Sequence, residues 1–271
     1  MENDLEAEAL DAICDALDRR DPLTAWEIAR RALRRTEQDP VLRFRSGQAL
    51  LELDRPAEAV LELAKASALD PEDAEYRVYH ALSLFRACRF DDARREIEQA
   101  AASASDLPEL RYVRGLCLER AGELQRADEE FRFAARLDAD GFPFPSRFSE
   151  AEFERQLLAA RNALNPDFRQ HLDTVAVIVE PLPTDALLLE EEPALDPEHL
   201  LGLFTGVALD RQSSFSAGGE LPPRIYLFKR NLERFTANGE ELAEQIRITL
   251  YHELGHYLGM TEEDLERSGY A

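Results

Sequence analysis

Lysine is nearly absent from this chain: of 32 basic residues, only Lys65 and Lys229 are not arginine. There is no basic tail or stripe either. The formal net charge is −23 over 271 residues, and both halves of the chain are acidic. A nucleic-acid backbone or an anionic membrane surface would be repelled at long range, so neither is an expected partner. Cysteine is scarce as well. Cys14, Cys88 and Cys117 are widely spaced and all fall in the first half. They form neither a disulfide framework nor a C-x-x-C metal pair, and free thiols in a reducing compartment are expected. No apolar run approaches the length of a membrane span. The opening MENDLEAEALDAICDAL has no basic n-region and no apolar h-region, so it does not read as a secretory signal. A soluble, cytoplasmic protein is the expectation. What is present is a hydrophobic fraction of 45%, enough for buried cores and too much for wholesale disorder.

The first half repeats. RPAEAVLELAKASALDP from Arg55, RFDDARREIEQAAASAS from Arg89 and GELQRADEEFRFAARLDAD from Gly122 align, with starts 34 and then 33 residues apart. Small residues recur in register: Gly47, Ala81 and Gly115; Ala59, Ala93 and Ala127; Ala66, Ala100 and Ala134. Two helices packed within about 8–10 Å require small side chains at the contact. A weaker copy, DPLTAWEIARRAL, precedes these. The period and the small positions resemble the tetratricopeptide repeat, with about four repeats expected over residues 6–140. Such repeats stack into an all-α solenoid with a concave face. The family register puts Phe44, Val78 and Tyr112 in one apolar row on that face, with Leu82 and Leu116 in the next. Two readings stay open for this row: a groove for a protein or peptide partner, or a face covered by the protein's own second domain.

Gly141, Pro143 and Pro145 in DADGFPFPSRFS interrupt the helical pattern. This places a repeat domain at 1–140, a linker at 141–147 and a second domain at 148–271. EAEFERQLLAARNAL has Phe153, Leu157 and Ala160 on one side of a helix. TVAVIVE (Thr174 to Glu180) and RIYLFKR (Arg224 to Arg230) read as strands. The run Glu190-Glu191-Glu192 reads as a solvated loop face. Asn238 and Glu241 form a capping pair, and the helix they start is expected to run from Gly239 to Leu258. Ile246, Leu250, Leu254 and Leu258 make its buried stripe, and Gly259 suits a left-handed terminus.

That last helix carries His252-Glu253-Leu254-Gly255-His256, the H-E-x-x-H pattern. The histidines stand one turn apart on one face, so two imidazoles can share one cation, and neutral imidazole is a good zinc ligand. Glu253 projects beside them, where a carboxylate can take the proton of a metal-activated water as general base. An ordinary helix with two unrelated histidines is the plain alternative.

FERQLLAARNAL, LDTVAVIVEPLP, LLGLFTGVAL, PPRIYLFKRNLERF and IRITLYHELGHYLGMTEEDLERSGY follow one another in an order that resembles the small bacterial zincin-like metallopeptidases. The resemblance covers nearly all of 148–271. Its most specific part is the ending, H-E-x-x-H-x-x-G followed by acidic residues, a Leu and Gly269-Tyr270. It implies a compact α+β domain with a small mixed sheet, an active-site helix and zinc-dependent hydrolysis of peptide bonds. The implied roles are His252 and His256 as ligands of one zinc ion per chain and Glu253 as general base. The family commonly has Asp just after the glycine, where this chain has Thr261 and Glu262. Glu262, ten residues after His252, is the implied third ligand, and Glu263 is the runner-up. The bland role for Glu262 is to cap the short final helix. Tyr251, Tyr257 and Arg247 also lie on the active-site helix, but no spacing selects one to stabilise an oxyanion. The expected function is that of a metallopeptidase whose repeats recruit a protein partner. The alternative is a repeat adaptor carrying a catalytically idle zinc-binding domain.

Overall fold

The computed structural model describes residues 2–102, 106–190, 194–209 and 222–268. It divides into two units, Met1–Phe144 with Leu188–Pro197, and Pro145–Leu187 with Glu198–Ala271.

Among the described residues the first unit is four helical hairpins. These are α1 (Glu2–Asp18) with α2 (Pro22–Ala32), α3 (Pro40–Glu52) with α4 (Pro56–Leu69), α5 (Ala74–Arg86) with α6 (Phe90–Ala101), and α7 (Pro108–Arg120) with α8 (Leu124–Leu137). Their starts are local chemistry. Asp21, Asp39 and Asp73 accept amide hydrogens of the turns that follow them. Pro22, Pro40, Pro56 and Pro108 stand at or next to the first helical position, where no N–H is needed. Every hairpin turns at one residue of positive φ: Arg20 (56°), Asp54 (54°), Cys88 (57°) and Gly122 (77°). In each turn the next amide reaches back to close the helix end, from Asp21 to Ala16, Arg55 to Leu50, Arg89 to Leu84 and Glu123 to Leu118. The period is therefore a uniform 34. The alignment that began the last copy at Gly122 was one residue early, because Gly122 matches Cys88 and the match to Arg89 is Glu123.

The recurrent alanines at 59, 66, 93, 100, 127 and 134 are all buried. Gly47 faces Leu63 and Gly115 faces Phe131 so closely that an added Cβ would lie 2.4 and 2.6 Å from those side chains. Of the two rows expected on an open face, three residues are interior. Phe44, Val78 and Leu116 are only 2%, 1% and 1% exposed. Phe44 packs on Tyr76 and Tyr79 of the next hairpin, and Val78 and Leu116 lie in the core with Ile97, Val113 and Phe131. Leu82 is half-buried, as is Tyr112, which rests on Phe131 and Phe142. Packing within and between hairpins covers Phe44, Val78 and Leu116, while Leu82 and Tyr112 keep partial exposure.

Leu188–Pro197 lies in the first unit although its sequence falls within the expected second domain. Arg86 holds it, donating through Nε to Asp196 Oδ2 at 2.5 Å and through Nη1 to the Leu51 carbonyl at 3.0 Å.

In the second unit α9 (Glu150–Ala163) and α10 (Pro166–Leu172) precede β1 (Ala176–Glu180). The short α11 (Asp185–Leu188) closes the next stretch. Then come β2 (Gly202–Thr205), β3 (Arg224–Phe228), α12 (Lys229–Arg234), α13 (Gly239–Tyr257) and α14 (Glu262–Ser268). The sheet order is β1-β3-β2, mixed as expected. β1 runs parallel to β3, with Ala176 opposite Arg224, and β2 runs antiparallel to it, with Gly202 opposite Leu227. β1 and β3 are shorter than the runs that predict them, and β2 is a strand that the sequence pattern does not predict. α13 packs on α9 and on β2 and β3, over a core that includes Phe153, Ala160, Ile225, Leu227, Leu242, Ile246, Leu250 and Leu254. The Pro-rich join is pinned by the fully buried Glu233. It bonds Lys229, accepts the Phe148 amide at 3.0 Å and pairs with Arg147 at 3.2 Å.

Candidate metal centre

α13 positions the site. Asn238 Oδ1 accepts the amides of Glu240 and Glu241, and the Glu241 carboxylate accepts the Ala237 amide. The two bonds to Asn238 satisfy donors that a helix start leaves unmet, and the third ties the preceding residue to the first turn. Leu242, Ile246, Leu250 and Leu254 are fully buried. Each contributes about 1.5–3 kcal/mol by burial, so the helix is held firmly against the sheet. It ends where Gly259, at φ 83°, turns the chain, with the Met260 amide reaching the Gly255 carbonyl at 2.9 Å.

This helix brings His252 and His256 together. Their Nε2 atoms are 3.0 Å apart, the rings are inclined at 80°, and both residues are half-buried. Two zinc–nitrogen bonds of about 2.0–2.1 Å at a tetrahedral ion would separate the nitrogens by about 3.3–3.4 Å. Convergence of two imidazole nitrogens to nearly that distance suits a shared cation, so these residues fit zinc. Glu253 is buried, and its Oε2 accepts the Phe204 amide of β2 at 2.6 Å.

Glu262 is the first residue of α14, but its side chain lies outside the described residues. So do Gly269 and Tyr270, and so do Glu191 and Glu192 of the acidic run. Thr261 starts α14. Its Oγ1 accepts the Asp264 amide, and Asp264 Oδ2 accepts the Thr261 amide and hydroxyl hydrogens. These bonds hold the Asp264 carboxyl below the usual range. Thr261 and Asp264 thus cap this helix reciprocally. Glu263 is exposed, with its carboxylate on Arg267. α14 docks through Leu265, whose Cδ2 would be 2.4 Å from a Cβ at Gly255. The variable position next to His256 in the motif is therefore small so that α14 can lie close.

The tyrosines are occupied by structure. Tyr251 Oη accepts the Asn165 amide at 2.8 Å, and its ring meets Phe168. Tyr257 packs on Phe204, with its hydroxyl 3.4 Å from Thr174 Oγ1. Arg247 pairs with Glu244 and lies over the Tyr251 ring. Of the other histidines in this unit, His171 has its ring centroid 6.5 Å from that of Tyr257, and His199 stacks on Phe235. The elements missed in the sequence are Gly202 and Phe204. A glycine inside the short apolar run LLGLFTGVAL was the available signal, because glycine within a strand marks a close backbone approach.

Residues 172–270 match the model of the zincin-like metallopeptidase family. Residues 10–74 and 80–141 match that of the tetratricopeptide repeat. No curated protein matches the chain. Among solved structures the chain is similar to MamA protein at 18% identity, covering 50% of this chain and 74% of that one, with a TM-score of 0.44. It is similar to a thermophilic TPR protein of Thermus thermophilus at 19% identity, covering 49% and 73%, with a TM-score of 0.44. It is also similar to YrrB, described as a TPR protein with an unusual peptide-binding site, at 20% identity, covering 46% and 64%, with a TM-score of 0.41. The chain thus carries tetratricopeptide repeats followed by a zincin-like metallopeptidase domain. No described helix is long and apolar enough to cross a membrane.

Proposed function

We propose that the second unit is a zinc-dependent peptidase and that the repeats bind the protein it acts on or works with. The observation that carries the first part is the 3.0 Å approach of His252 Nε2 and His256 Nε2, on the helix that also carries Glu253, within the stretch that matches the zincin-like model. His252 and His256 hold zinc as neutral imidazoles. Glu262 completes the protein donor set, with Glu263 as the fallback. When bound, zinc polarises a peptide carbonyl and lowers the pKa of water to about 7. Glu253 accepts the proton of the attacking water and returns it to the departing amine, which costs no net proton. Its burial keeps bulk water from competing for the carboxylate. Partner binding by the repeats is supported by the tetratricopeptide match and by the way stacked hairpins build extended surfaces.

The test is metal analysis of the purified protein with hydrolysis of fluorescein-labelled casein before and after chelation. About one zinc per chain is expected, with casein cleavage lost on chelation and restored by zinc. Bound zinc without any chelator-sensitive cleavage would favour the adaptor with an idle domain.

A further inference from the structure

Among the described residues β2 pairs on one side only, with β3, and this ladder gives each of its backbone groups a direction. Phe228 donates its amide to the Leu201 carbonyl at 2.9 Å, and the register sets Leu203 opposite Tyr226 and Thr205 opposite Arg224. Bonded and non-bonded pairs alternate in an antiparallel ladder. Leu201, Leu203 and Thr205 therefore turn their backbone groups toward β3, while Gly202 and Phe204 turn theirs away from it. The Phe204 amide takes no part in the ladder, and Glu253 Oε2 accepts it at 2.6 Å.

Two contacts flank this bond, one helical turn to either side along α13. Before it, Gly202 lies against Thr249. A Cβ at 202 would be 2.4 Å from Thr249 Cγ2, 3.1 Å from the Tyr226 carbonyl oxygen and 3.4 Å from Glu253 Cγ. After it, the Phe204 ring rests on Tyr257 with centroids 5.8 Å apart. The strand is thus fitted to residues 249, 253 and 257 of one helix face, and the absence of a side chain at 202 is what permits the approach.

We propose that Gly202 and the backbone amide of Phe204 are positioning elements for the general base. The amide holds Oε2 of Glu253 and so fixes the plane of the carboxylate. A carboxylate free to rotate would spend much of its time out of line with the attacking water, and misplacement of a reacting group by about 1 Å can cost about a hundredfold. The assignment rests on Glu253 being the general base.

The test uses the full-length, zinc-loaded protein. Phe204→Pro removes the donor but leaves the ladder to β3 intact, since that N–H is not part of it. Phe204→Leu keeps both the donor and an apolar contact to Tyr257. Zinc content is expected to stay at the parental level in both. With labelled casein, kcat should fall at least about tenfold in the proline variant at unchanged KM, and stay within about twofold of the parent in the leucine variant. Equal kcat in the two variants overturns the assignment. Should the proline variant not fold, Gly202→Ala pushes β2 off the helix and carries the same expectation. A second readout needs no activity: the Phe204 amide proton resonance should move upfield in Glu253→Ala, and an unchanged resonance also overturns the assignment. Casein left intact by the zinc-loaded parent and all variants overturns the peptidase reading and the positioning role together, while a shifted resonance still supports the held carboxylate.

Discussion

His252, Glu253 and His256 were legible as residues because H-E-x-x-H on a helix makes a local geometric statement: two rings one turn apart with a carboxylate beside them. Replacing both histidines with alanine should abolish zinc binding, and metal content equal to that of the parent would remove them as ligands. Glu253→Gln should retain zinc and the fold while slowing casein hydrolysis at least about a hundredfold. Full activity in that variant would take Glu253 out of the chemistry. The third ligand is less legible, because it depends on how the chain returns after Gly259 and not on helical spacing. Glu263 is exposed and already bonded to Arg267. Glu262→Ala should therefore weaken zinc affinity at least about tenfold and Glu263→Ala should not, measured by competition with a chelator of known affinity. The opposite ranking transfers the role to Glu263. In the repeats, burial pushes the His80 imidazole down despite Glu96 at 3.7 Å, which pulls the other way. A histidine depressed in the folded state binds its proton more readily once unfolded, so its effect on stability is absent well above about pH 6.5, and stability falls as pH drops through that value. Urea denaturation at pH 7.5 and pH 5.5 should lose less stability in His80→Gln than in the parent.

At the scale of elements the turns of the repeats offer a cleaner experiment than the helices. Arg20, Asp54, Cys88 and Gly122 occupy equivalent left-handed positions, yet only one of them is glycine. An L side chain in that region costs about 1–2 kcal/mol, partly offset by the greater freedom glycine loses on folding. Asp54 bonds Arg86 and Cys88 donates to the Leu195 carbonyl, so replacing either would remove more than strain. Arg20→Gly is the better probe and should stabilise the repeat unit by about 0.5–1 kcal/mol, whereas Gly122→Ala should destabilise it by a similar amount. A neutral or negative result at Arg20 would mean that its side chain makes a compensating contact. The repeat helices, α9, α13 and α14 were readable from spacing, caps and prolines, since these are local signals, whereas the short α10, α11 and α12 carry too little periodicity, and α12 begins inside the run RIYLFKR that reads as a strand. The uniform 34-residue period was blurred by one residue because three turns hide their left-handed residue behind an ordinary side chain. β2 escaped for a different reason. Four residues with a glycine inside carry little periodicity, and their strand character comes from pairing with β3, a partner distant in sequence. Phe44 and Val78 of one expected row and Leu116 of the next are buried, and an apolar repeat position looks the same from the sequence whether it faces a groove or the next hairpin. The assignment of Leu188–Pro197 depends on Arg86 and Asp196, an ion pair spanning 110 residues that no local pattern announces.

At the scale of the whole molecule, the two units differ in what a metal can do for them. The candidate ligands His252, His256 and Glu262 all fall in the second unit, while the single tryptophan, Trp26, falls in the first. Trp26 is half-buried between the Arg30 and Arg55 guanidiniums, 4.6 and 4.3 Å from its ring centroid, so its emission reports on α2 and its surroundings. A ligand that binds only the folded state stabilises it by about 2.7 kcal/mol when present at a hundred times its dissociation constant. That stabilisation acts first on the element that supplies the donors, α13, whose core is shared with α9 and the sheet. Chelation should therefore lower by several degrees the midpoint of the minor part of the circular dichroism change at 222 nm, the part that α9–α14 supply, since most helical residues lie in the repeats. The transition followed by Trp26 fluorescence should move less. The comparison should be repeated with the double His252→Ala, His256→Ala variant, in which chelator should leave both signals unchanged. If chelation shifts the two signals equally in the parent and neither in the variant, the metal still binds where proposed but the chain unfolds as one cooperative body. If the variant responds to chelator as the parent does, the stabilising ion sits elsewhere and the assignment of His252 and His256 falls.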